Sequence, residues 1–390
     1  MDGSWFMPQV HAAGPTPAPR GGHAAVSVGT KVILYGGTDR QATPFTDLWV
    51  LETAGGHYLW TPIESTSASG VVLQPRSGAT MTAIGHKVYL YGGQDPQTGI
   101  CYDDILVLDT LTWDWDFVEV ESGRPPARHS HCTGLFQDHC LLVFGGAGMH
   151  GTLGDLWMFN TKTGTWVTPM AEGQAPCQRE MHSGTMLTDS RMLICGGRSA
   201  AGQVLCDVSI FDGDEMKWTS SIATQFFFCA HSAVLMPIAI TTPPHLEATA
   251  SSTLDIPVKT EPVNGDARSC QIEASSSQPA EQTSPIARRP LTQTSLRVIL
   301  YGGFSGEGIT GFVLSLDPGT LRVEIVDYGP GAGSTMVKGM KKPATRFAQS
   351  AVTVPTNGNS SSPWEMVVVA GVHPEVDLSD IAIWRPQFPQ

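Results

Sequence analysis

An arginine followed three residues later by a histidine occurs at Arg20 and His23, at Arg128 and His131, and at Arg179 and His182. The arginine recurs at Arg76 and Arg346, where the third position holds Ala79 and Gln349, and His231 takes the histidine's place in one further copy. Imidazoles brought into a ring could ligate a metal. Two of the six positions lack a ligand, however, and a side chain repeated at a fixed place is first a packing element, so no metal, cofactor or catalytic residue is predicted. The guanidinium is more versatile. Its rigid fork of donors can clamp strand-end carbonyls or an aspartate of the same unit, or it can face an acidic ligand. Arg76, Arg128, Arg179 and Arg346 therefore stand as candidates both for a structural clamp and for partner contact.

What must position these residues is a repeated small sheet. A short apolar strand ends in a glycine pair at Gly36-Gly37, Gly92-Gly93, Gly145-Gly146, Gly196-Gly197 and Gly302-Gly303, with a weaker version at Ala370-Gly371. A strand led by aspartate follows, from Asp47, Asp104, Asp155, Asp207 and Asp380, whereas the fifth copy has Gly311-Phe312 there. Trp60, Trp115, Trp166 and Trp218 close the units, the last three each standing eleven residues after the leading Asp. Leu321 and Val323 stand where the fifth copy would have its Trp, which predicts weaker packing in that unit. Alternating apolar strands separated by turn residues describe an antiparallel sheet of about four strands, too small to bury both faces alone.

In its period of roughly 50 residues, its double glycines and its spaced tryptophans, the sequence resembles the kelch repeat family. The resemblance implies an all-β propeller whose blades share one closed ring over residues 1–390, and it implies no particular activity. Six blades are expected. The spacing between Gly196 and Gly302 leaves room for a seventh, but residues 240–294 contain no glycine pair and no Trp, and are rich in Ser, Thr, Pro, Gln and Glu. They read as a disordered insertion in the first hairpin of blade five. Within it, Lys259 lies in a SUMO-acceptor-like Val-Lys-Thr-Glu, and Ser284 precedes a proline as in a proline-directed phosphosite. The last unit supplies only three strands, from Arg346, Trp364 and Asp380, before the chain reaches Gln390. The segment around Trp5-Phe6 has the composition of the missing outer strand, and its addition would remove two open sheet edges.

Antiparallel strands alternate their connections between the two ends of a sheet, so the loops after the glycine pairs share one face. That face should carry Arg40, His150, Arg198 and Phe304, together with Asp39, Asp95, Met149, Ser305 and His373, a mixture suited to contact with a protein.

The net charge of −13, with no run of Lys or Arg, argues against a nucleic-acid backbone as partner. The N-terminus has no secretory pattern, and no stretch approaches the ~20 apolar residues of a membrane span. Eight cysteines without C-x-x-C spacing read as reduced core residues of an intracellular protein, cytoplasmic or nuclear.

These observations predict a monomeric ring that binds a protein partner as scaffold or adaptor. Kelch proteins also include ubiquitin-ligase substrate receptors and metal-dependent enzymes, which are the alternatives. A BTB segment before the repeats, a helical segment after them and the E-x-x-x-D-x-x-x-H spacing of the iron-using members are not found in this sequence.

Overall fold

A computed structural model describes residues 3–8, 14–67, 69–219, 221–242, 291–327, 343–356, 364–373, 375 and 377–386. Among them are six antiparallel blade sheets and a two-stranded ribbon that pairs Arg179–Glu180 with Arg198–Ser199 beside blade four. Blade one is typical, with strands Ala24–Val28, Lys31–Tyr35, Leu48–Glu52 and Leu59–Ile63 paired in sequence. The second strand of blade one is the most deeply buried of its four. In blade one Val32, Ile33, Leu34 and Tyr35 are all fully buried.

The last sheet is completed by the N-terminus. Gly3–Phe6 pairs with Asp377–Pro386, so that Trp5 lies opposite Trp384, and the sheet continues through Trp364–Val372 to Ser350–Pro355. The ring is thus closed by the two ends of the chain. Tyr58 and Arg385 tighten the seam. The Tyr58 hydroxyl donates to Glu365 at 2.9 Å and Arg385 Nε to the same carboxylate at 2.6 Å, while the Arg385 guanidinium lies 5.2 Å from the Phe6 ring. Burial and the Glu365 charge raise the Tyr58 phenol to about 12, so it remains a donor.

Aromatic pairs join successive blades. The residue just before a glycine pair meets the tryptophan of the next blade: Tyr35 with Trp115 at 5.6 Å, Tyr91 with Trp166 at 5.1 Å, and Phe144 with Trp218 at 5.2 Å between ring centroids. Blade five, which lacks the tryptophan, follows a blade that has Cys195 in the aromatic place. Cys195 is fully buried, and Leu321 and Val323 pack into that cluster. Both replacements are smaller, and the aromatic rings in that cluster are instead those of Phe226, Phe228 and Phe312.

Blade five also corrects the boundaries of the insertion. Ser232–Thr242 and Leu291–Tyr301 pair without a break from Ser232 opposite Tyr301 to Thr242 opposite Leu291. Residues 240–242 and 291–294 are therefore strand, not insertion. Their Ile, Thr and Leu content suits a strand, and hairpin pairing extends wherever a partner strand lies opposite. Lys259 and Ser284 lie outside the described residues. Seven cysteines are described and all are free thiols, with Cys132, Cys140, Cys195 and Cys229 buried. Among the described residues no helix is long and apolar enough to cross a membrane.

Candidate partner-binding face

Three belts of hydrogen bonds encircle the propeller axis. In the first, the residue preceding each histidine position donates its backbone N–H to the same position of a neighbouring blade: Gly22 to Ala348, Ala348 to Ala230, Ala230 to Met181, Met181 to Ser130, Ser130 to Gly78 and Gly78 to Gly22, at 2.7–2.9 Å. The circuit closes on itself. All six residues have positive φ, including Ser130, Met181, Ala230 and Ala348, which pay the strain of a left-handed backbone for a place in the ring. The sequence hints at this belt only in the first two repeats, where the residue is glycine.

The second belt explains the glycine pairs. The second glycine donates its N–H to the carbonyl at the arginine position of the next blade, as in Gly37 to Arg76, Gly93 to Arg128, Gly197 to Phe228, Gly303 to Arg346 and Gly371 to Arg20, at 2.8–2.9 Å. A Cβ on Gly146 would stand 2.6 Å from the His129 carbonyl oxygen and 2.8 Å from the His131 Cβ. Only glycine allows this approach.

The third belt is made by the histidines. The Nε2 atoms of His131 and His231 lie 2.8 Å from the Thr80 and Ser183 hydroxyls of the preceding blades, and His182 Nε2 lies 3.2 Å from Cys132 Sγ. Gln349 stands in for histidine in blade six and donates to the Tyr301 carbonyl at 2.7 Å. Burial, reinforced at His23, His131 and His182 by the nearby arginine, holds these rings neutral, with His23, His182 and His231 lowered to about 3. Neutral and bonded across blade boundaries, His131, His182 and His231 act as staples, whereas neither ring nitrogen of His23 has a hydrogen-bond partner among the described residues.

The repeated arginines are buried as well. Arg20, Arg76, Arg128, Arg179 and Arg346 each form a two-pronged pair with Asp47, Asp104, Asp155, Asp207 and Asp380 at 2.5–2.9 Å. Their Nη1 groups also donate to the carbonyls of Gly36, Gly92, Gly145, Gly196 and Ala370. Of the two roles left open for Arg76, Arg128, Arg179 and Arg346, the geometry is that of the clamp. With almost no exposed surface, they offer nothing for a partner to touch.

The exposed candidates lie elsewhere on the face. The belts surround a cavity of about 680 Å³ at the hub, and Asp39, Arg40, Gln94, His129 and His373 line its mouth. Asp39 also shapes its own loop, accepting from the Gln41 and Thr43 N–H groups at 2.9 and 2.8 Å, which lowers its carboxyl. Asp95 accepts in the same way from Gln97. Arg198, half-exposed, is paired with Glu180 at 2.6 Å. Phe304 is 37% exposed and its backbone bridges to Cys229. Met149 and His150 occupy the exposed turn of a hairpin in which Gly148 faces Gly151, and Met149 is 87% exposed. Asp39, Arg40 and His373 thus converge on the hub, while the other four sites, at Asp95, Met149-His150, Arg198 and Phe304-Ser305, are spread over blades two to five.

With the repeated geometry established, comparison with known sequences decides the family. The domain described as "KLHDC2/KLHL20/DRC7 Kelch-repeats domain" matches residues 2–136 and 63–236, together more than half of the chain. The chain belongs to the kelch-repeat family. Its relatives include Host cell factor of Drosophila melanogaster, 30% identical over 211 residues, which is 50% of this chain and 14% of that protein. Host cell factor 1 of Homo sapiens is 29% identical over 238 residues, 56% of this chain and 11% of the relative. Rab9 effector protein with kelch motifs of Bos taurus is 30% identical over 135 residues, 34% of this chain and 36% of the relative. The kelch chain therefore spans a small part of the first of these relatives and about a third of the last.

Proposed function

We propose that this kelch propeller is a non-catalytic binding module that takes a segment of a partner protein on the face where the post-glycine loops meet the hub. The cavity of about 680 Å³ carries the reading, because a rigid backbone ring surrounds it and both acidic and basic side chains, Asp39 and Arg40, stand at its mouth. A concave site on a scaffold that need not reorder on binding loses little entropy there. The neutral, bonded histidines beneath it suit a structural floor better than a reactive one. The relative named a Rab9 effector is consistent in kind with such a role.

The test is selection of displayed peptides on the purified chain, followed by measurement of affinity for Arg40→Glu and His373→Ala. Each variant should weaken hub-directed peptides roughly tenfold, as expected for contacts near the centre of an interface, with an unchanged melting curve. Full affinity in both would assign binding to another surface.

A further inference from the structure

In blade five the clamp has been replaced on both sides. Phe228 stands three residues before His231, where other blades have arginine, and accepts the Gly197 N–H as the arginines accept from their own preceding blades. Phe312 stands at the aspartate position, since the Gly302 N–H donates to its carbonyl just as Gly92 and Gly196 donate to Asp104 and Asp207. The residue two before is also changed. Phe45 in blade one and Tyr102 in blade two stack on the clamp arginine at 4.0 and 4.2 Å, whereas blade five has Thr310 there. Where the other blades have a guanidinium, two carboxylate oxygens and sometimes a ring, blade five has an open pocket of about 310 Å³.

We propose that this pocket receives one aromatic or branched aliphatic side chain, flanked by a basic residue, from an extended segment of a partner protein. The walls are Phe226, Phe228, Phe312 and Leu314, and the volume, at the lower end of ligand pockets, is ample for one anchoring side chain. The rim selects the neighbour. Glu307 is exposed at the mouth, and Phe227, 50% exposed, is positioned to cover the stem of a bound cation. Ser305, Glu307 and Thr310 belong to the loop after Gly302-Gly303, and His231 lines both this pocket and the hub cavity. A segment lying across the face could therefore reach both. The inference deepens the proposed function and rests on it for the choice of face.

The experiment selects random phage-displayed peptides on the purified full chain and measures the affinity of the enriched peptides by titration calorimetry. An aromatic or branched aliphatic residue next to Lys or Arg should be enriched. The double variant Phe228→Arg with Phe312→Asp restores the pair that occupies this place in the other blades, and should bind those peptides roughly tenfold or more weakly. Glu307→Lys, a surface change, should shift the preferred neighbour from basic to acidic. Arg40→Glu at the hub should leave these peptides bound. Peptides lost in Arg40→Glu but untouched by the double variant and by Glu307→Lys would overturn the pocket and keep the hub. Peptides indifferent to all three would overturn both readings. Should the double variant fail to fold, Phe227→Ser and Glu307→Lys decide, and unchanged affinity and charge preference in both would sink the proposal, as would failure to enrich such peptides.

Discussion

The ring of Trp5 lies 4.8 Å from that of Tyr301. This is the contact that Trp115, Trp166 and Trp218 make with the residue before the preceding glycine pair, but here the tryptophan comes from the opposite end of the chain. The indole is buried in a cluster with Met236, Ile299 and Trp384, so one side chain joins blades five and six.

Trp5→Ala should accordingly destabilise the ring by about 3–5 kcal/mol, as for other large buried aromatics. Removal of residues 1–8 should cost more, since it also opens the edge of Asp377–Pro386 to solvent. Chemical denaturation and hydrogen exchange at Ile381–Trp384 check both. Unchanged stability and unchanged protection would mean that the last blade holds without its outer strand.

The glycine pairs should tolerate no side chain. Gly146 has φ +96°, and its Cβ would collide with blade three's own inner segment at His129 and His131. Left-handed strain and overpacking together predict a loss of roughly 2–5 kcal/mol for Gly146→Val. Gly29→Ala is the control. Gly29 also has positive φ but nothing lies within 4 Å of the added carbon, so only the backbone term, about 1 kcal/mol, should appear in denaturant melts.

How far the fold could be read in advance is visible in these residues. Glycine pairs and tryptophans carry steric demands that recur with the repeat, so they revealed six blades and the closing role of Trp5. The arginines stayed ambiguous because their partners stand 27 to 34 residues away, and a lone guanidinium suits a clamp and a ligand equally well. A sharper signal was present in the joint absence of both members from blade five, at Phe228 and Phe312. The αL ring was hidden because Ser130, Met181, Ala230 and Ala348 are not residues that advertise positive φ. The ends of the insertion were misplaced because composition gives no account of a strand pair extending beyond the blade.

The clamps make a further prediction, about coupling. Arg128 is fully buried, with Asp155 its only carboxylate partner among the described residues. Asp155→Ala leaves a buried cation uncompensated and should cost about 3–5 kcal/mol, with Arg128→Leu costing less. Replacing both, as blade five does naturally with Phe228 and Phe312, should cost less than the sum of the single changes. A double-mutant cycle in urea measures the difference, and strict additivity would show that the pair is not a unit.

The histidine belt sets the response to acid. Above pH 6.5, the ordinary histidine value, the rings of His23, His131, His182 and His231 are neutral in the folded and the unfolded chain alike, and they add no pH dependence. Below it the unfolded chain takes up protons that burial denies the folded one, down to about 3 for His23, His182 and His231. Stability should therefore fall as pH drops through this window, by about 1 kcal/mol per histidine for each pH unit below 6.5. Glutamine already fills the histidine place at Gln349, where it bonds across the blade boundary. His231→Gln should thus keep the fold and remove about one proton from the slope of unfolding free energy between pH 6.5 and 4.5. An unchanged slope would show that His231 is protonated in the native ring, which its burial and its bond to Ser183 argue against.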